Sequence, residues 1–244
     1  LSRTARIASG CRRRPLVLLL PSLVLAALTS AGALAASGTT VSVHQTQELV
    51  VLLRAHEARY GPHASSAPVG VLPATTPITG ERTVVPLLAR RGGWLKVRLP
   101  GRPNSHSGWI AARGTTGSVT GWHIVVDTNR RRLTVYRFGR VVRVFMAVVG
   151  KPSTPTPTGE FFVEETIALP STGVGAPFAL ALSARSNVLQ EFEGGPGQVA
   201  VHGLMNVGGV PGTAVSHGCV RLDNDAMRWL SARIDPGAPV TITR

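Results

Sequence analysis

Glycine and proline interrupt the β-prone runs of this chain before they grow long. After residue 68 the runs read "VGVL", "RTVVPLLA", "GWLKVRLP" and "GWIAA", cut by Gly92-Gly93, Pro100-Gly101 and Pro103-Asn104. Beyond them come "WHIVVDT", "RLTVYRFG" and "RVVRVFMAVVG". Long helices do not tolerate such punctuation, and β-branched residues suit the pleated strand. With 27 glycines, 18 prolines and 5% aromatics in 244 residues, the expected fold is mainly β, with short strands and many turns.

The first residues stand apart. Arg12, Arg13 and Arg14 precede the apolar run "PLVLLLPSLVLAAL", and small residues follow with Ala-x-Ala spacing at Ala31/Ala33 and Ala33/Ala35. A basic start, an apolar stretch and a small-residue site describe a secretory signal over 1–36, with an uncleaved N-terminal anchor as the alternative. Either places the rest of the chain outside the cytoplasm. The formal charge is +14, and removing the five arginines before the cleavage site leaves +9. In that compartment the anions to expect are wall polymers, lipid headgroups or acidic substrates; no nucleic-acid motif or aromatic stacking pattern accompanies the charge.

Residues 37–66 read as a linker with a short helix in "TQELVVLLRAHEARY", where Leu49, Leu52, Leu53 and Ala55 approximate one face. "GPHASSAP" reads as the boundary loop. The runs over 67–114, with "GWLKVRLP" paired to "GWI", resemble the bacterial Src-homology-3-like barrel. Trp94 and Trp109 are candidates there for lining a ligand groove, with packing as the alternative. A second domain is expected over 121–244. It begins as a three-strand meander, passes through the loop "KPSTPTPTGEFFVEET", and ends with a short helix in "DNDAMRWLSARI" and a strand in "PGAPVTIT".

The chemistry concentrates in "HGLMNVGGVPGTAVSHGCVRL". Cys11 leaves with a cleaved signal, so Cys219 becomes the mature chain's lone thiol. In an oxidising compartment that points to intermolecular pairing or to a reactive site, with a buried inert cysteine as the alternative. A thiol is activated by a base that takes its proton and by imidazole or amide dipoles that stabilise the thiolate. His202 and His217 supply imidazoles, and Gly218 lets the backbone turn closely around the sulfur. The amides of His217, Gly218 and Cys219 are candidates for a cluster that holds a tetrahedral oxyanion. A metal site from the two histidines and Cys219 has suitable ligand types but no recognisable zinc spacing.

"SHGCVRL" preceded by "HG", with the "TPTPTGEFFV" loop, closely resembles the signature of the L,D-transpeptidase catalytic domain, also called the YkuD domain, from about Gly121 to the end. The resemblance implies a β-sandwich-like catalytic domain with Cys219 as nucleophile and His202 as general base, held by the carbonyl of Gly203. His217 is the second family histidine and the alternative base. Ser216 and Gly218 shape the loop, and Arg221 fixes it or meets a substrate carboxylate. The implied substrates are peptidoglycan stem peptides: the thiolate attacks the third stem residue, releases the terminal D-alanine, and passes the acyl group to a neighbouring stem as a 3→3 cross-link. No metal or organic cofactor is called for. The rivals are an L,D-carboxypeptidase, in which water accepts the acyl group, and a wall-binding module whose cysteine domain is inactive. Oligomeric state is not legible.

Overall fold

In the computed structural model, residues 41–191 and 194–244 are described. The expected signal or anchor lies outside them, and among the described residues no helix is long and apolar enough to cross a membrane. Seven strands form the first sheet: β1 (Gln47–Leu52), β2 (His56–Arg59), β3 (Pro68–Leu72), β4 (Val84–Arg91), β5 (Trp94–Arg98), β6 (Ser107–Ala111) and β7 (Thr115–Thr120). Their order is β3-β2-β6-β5-β4-β1-β7. Burial alternates along β5 and β6, so Leu95, Val97 and Ile110 enter a core with Val50, Leu52, Leu72 and Val85. Trp94 and Trp109 are half-buried on the face of this ladder away from that core.

The helix expected after Thr46 is instead the strand pair β1 and β2. β1 lies between β4 and β7, and these partners override a weak helical spacing in a segment rich in valine. The "GPHASSAP" loop joins β2 to β3 within one sheet, with Tyr60 N–H donating to Ala67 O at 3.0 Å. Residues 47–66 of the expected linker are therefore part of the sheet.

The second sheet is built from β8 (Trp122–Asp127), β9 (Arg132–Arg137), β10 (Arg140–Met146), β12 (Gly159–Ala168), β13 (Phe178–Arg185), β14 (Gln198–His202), β16 (Val220–Arg221) and β17 (Pro239–Thr243). Its order is β10-β9-β8-β17-β12-β13-β14-β16. The meander β8–β9–β10 forms as expected, and the terminal strand β17 runs between β8 and β12. A short parallel pair, β11 (Val149–Gly150) with β15 (Ala214–Ser216), lies beside it. The sheet curls, because Val148, just past β10, exchanges two 2.9 Å backbone hydrogen bonds with Arg221 of β16. The single described helix, α1 (Asn224–Ser231), buries Met227 and Leu230 against this sheet's core.

Strand β12 serves both cores. Phe161 joins the core of the second sheet and Phe162, pointing the opposite way, joins the core of the first. Three residues further on, buried Glu165 accepts hydrogen bonds at Oε2 from Ile78 N–H (3.2 Å), Thr79 N–H (2.7 Å) and Thr79 Oγ1 (3.0 Å). The loop after β5 also braces the chain that leads into β14. Arg102 donates to the carbonyls of Ser186, Leu189 and Pro196, and Asn104 bonds both main-chain groups of Arg185.

Candidate active site

Strands β14 and β16 run parallel with Val201 opposite Val220 and His202 opposite Arg221. Because strand side chains alternate, Val199, Val201 and Val220 enter the core while Gln198, Ala200 and His202 turn the other way. Cys219 and Arg221 share that outward register. All five line one groove of about 690 Å³, with Cys219 half-buried in its wall. Sixteen residues separate His202 from Cys219, and the excursion they form closes with Leu222 N–H donating to His202 O at 2.9 Å.

His202 is held from behind. Its Nδ1 lies 2.8 Å from Gly203 O. A carbonyl only accepts, so Nδ1 carries the proton and Nε2 of the neutral ring keeps its lone pair. Burial lowers the pKa of His202, the Gly203 carbonyl opposes that shift, and the Arg221 cation adds to it. The ring is therefore neutral at pH 7 and fit to accept a proton. Gly175 packs against it with φ +83°, where an added Cβ would lie 2.5 Å from Nδ1. A Cβ on Gly203 would collide with the carbonyl of Ala176. The close seating of the imidazole thus depends on two glycines, of which Gly175 carried no motif to announce it.

The cysteine loop is closed by its serine. Fully buried Ser216 donates from Oγ to Cys219 O at 2.6 Å and accepts from Gly218 N–H at 3.1 Å. Gly218 sits at φ +124°, a backbone conformation that side chains rarely adopt. Its amide is engaged by Ser216, so the expected cluster of three amides aimed at one point does not form; the short loop satisfies that buried donor internally. Beneath the loop, Ser216 O accepts from Lys151 N–H (3.0 Å) and Thr154 Oγ1 (3.2 Å). This gives the proline- and threonine-rich segment its structural place.

Arg221 is 8% exposed. Its Nη1 donates to Gly208 O at 3.2 Å, tying down the loop that borders the groove, while its buried Nε has no hydrogen-bond partner. Burial lowers its pKa, and attraction to a Cys219 thiolate opposes that shift. His217 is exposed on the groove's rim. Two further residues escaped sequence reasoning. Asn224, the first residue of α1, accepts from Leu204 N–H at 3.0 Å and fixes the start of the excursion. Gln198 reaches Glu164 Oε1 at 3.1 Å and secures the groove wall. Among the described residues no cluster of three or more His, Cys, Asp or Glu side chains could hold a metal ion.

Comparison with known proteins identifies the family. The family model of the L,D-transpeptidase catalytic domain, YkuD, matches residues 121–242. The YkuD protein of Bacillus subtilis is 32% identical over 123 residues, which cover 50% of this chain and 66% of that relative, just under two thirds of its length. L,D-transpeptidase 1 of Mycobacterium tuberculosis is 27% identical over 220 residues, covering 73% of this chain and 82% of the relative. A solved L,D-transpeptidase from Mycobacterium smegmatis is 22% identical, covers 67% of this chain and 91% of its own, and superposes with a TM-score of 0.40. With the family model matching residues 121–242, half of its length, the chain belongs to the L,D-transpeptidase catalytic domain family.

Proposed function

We propose that the protein is an exported L,D-transpeptidase that cross-links peptidoglycan stem peptides through a thioester on Cys219. The observation that carries this reading is the pairing of β14 with β16, which puts a neutral, carbonyl-anchored His202 and the Cys219 thiol on the wall of one groove. His202 Nε2 takes the thiol proton, and the thiolate attacks the carbonyl carbon of the third stem residue. The tetrahedral intermediate collapses, the C–N bond to the terminal D-alanine breaks, and His202 returns its proton to the departing amine. A side-chain amine of a second stem then attacks the thioester. It loses a proton to His202 as the new amide forms, and the sulfur leaves as the thiol once that proton returns.

Arg221 lines the same wall as the sulfur, and its charge suits a carboxylate-bearing stem peptide while its hydrogen bond holds the bordering loop. His217 on the rim contributes to the local field, and Ser216 with Gly218 keeps the loop in shape. The basic charge outside 1–36 favours residence beside an anionic wall. Mass spectrometry of products from purified tetrapeptide stems tests the reading. Cross-linked dimers are expected, with none from Cys219→Ala; shortened monomers alone would make the enzyme a carboxypeptidase, and product from Cys219→Ala would end the thioester mechanism.

A further inference from the structure

Residues 128–159 contain six arginines and Lys151 without one acid. The arginines fall on the β9–β10 hairpin and the turns at its ends, and β10 is an end strand of its sheet. Among the described residues only Arg130 of the six meets an acid, Asp127. The same hairpin exposes apolar side chains. Phe138 at the turn is 53% exposed, Val141 54% and Val144 48%.

Register explains why these valines face solvent. Phe145 stands opposite buried Leu133 and points to the core, whereas Val141 and Val144 stand opposite Tyr136 and Thr134 on the other face. Arg132, opposite Met146, is exposed on that same face, and Arg140, opposite Arg137, is exposed at the turn end of the hairpin. Below the surface, Trp122 and Trp229 meet edge to face, with Arg137 5.0 Å from one ring and Arg233 4.7 Å from the other. This aromatic support gives the exposed face a firm base.

We propose that the β9–β10 hairpin is a docking surface for an anionic lipid bilayer, distinct from the groove. Cations interleaved with exposed apolar residues suit the boundary between charged headgroups and acyl chains. A soluble polyanion would engage the arginines and leave the valines and Phe138 in water. A second copy paired along β10 would set arginine against arginine, and the bulge between Val141 and Arg143 interrupts the ladder it would need.

Sedimentation of the full chain with vesicles tests this, because any contribution from residues 1–36 is common to every variant. Phosphatidylglycerol–phosphatidylcholine vesicles are expected to bind more protein than phosphatidylcholine alone, and added salt to remove the difference. Arg132→Gln with Arg140→Gln is expected to weaken binding to the anionic vesicles about tenfold or more, and Arg132→Lys with Arg140→Lys to restore it. Val141→Ser with Val144→Ser is expected to weaken binding severalfold with an unchanged thermal transition. Equal binding to both vesicle types, failure of the lysine pair to restore binding, or a serine pair that binds as wild type while poly(glycerol phosphate) competes would each overturn the proposal. So would association that follows protein dimerisation instead of lipid.

Discussion

His202 and Arg221 stand opposite each other on the parallel strands β14 and β16, and the guanidinium helps to keep the imidazole neutral. As the proposed base, His202 works in its neutral form, which predominates above its pKa. That pKa lies below 6.5, so the acid limb of kcat/KM is expected below pH 6.5. Arg221→Met removes the cation and should move the limb upward toward 6.5, while Arg221→Lys should leave it nearly in place. A pH profile of the three proteins checks this; identical limbs would detach the two residues.

Gly175→Ala places a methyl group against the imidazole in a left-handed backbone conformation. The expected cost is about 1–2 kcal/mol of stability. Turnover should fall by on the order of 100-fold, as displacement of a reacting group by an ångström does. Denaturant midpoints and single-turnover acylation separate the two effects.

Ser216→Ala leaves Gly218 N–H without its acceptor and Cys219 O without its donor. Burial makes that loss worth about 1–3 kcal/mol. The loop that carries the proposed nucleophile should loosen, lowering the rate of Cys219 acylation more than substrate affinity. Ser216→Thr, which keeps the hydroxyl, is the control.

His123 is buried, and its Nε2 lies 2.8 Å from Thr241 Oγ1, which in turn donates to Glu160. Burial lowers its pKa from 6.5 to about 4. The unfolded chain therefore binds a proton that the folded one refuses. Stability is kept above pH 6.5 and lost as pH falls toward 4, by about 3 kcal/mol at 1.36 kcal/mol per pH unit. His123→Gln retains a donor for Thr241 and should flatten that decline, as urea unfolding between pH 7 and 4 will show.

The family was legible because its signature around Cys219 is written in adjacent residues. The helix α1 and the meander were legible because their periodicities are local. What stayed hidden depends on partners far along the chain. Leu49, Leu52 and Leu53 suit a helix until β4 and β7 take β1 between them, and a hairpin loop has the same composition as a linker. The adjacency of β14 and β16 likewise follows from the sheet and not from the spacing of His202 and Cys219. The Gly218 amide was misjudged because the nearest acceptor, Ser216 Oγ, is two residues away and wins.

The back-to-back phenylalanines of β12 bear on how such a protein can be divided or recombined. A cut after β7 that kept only the second sheet would strip Phe162 of its surroundings and bare an oily spot in mid-strand. Genes that pair this catalytic half with a new neighbour must therefore either supply an equivalent socket or repaint that strand with polar residues.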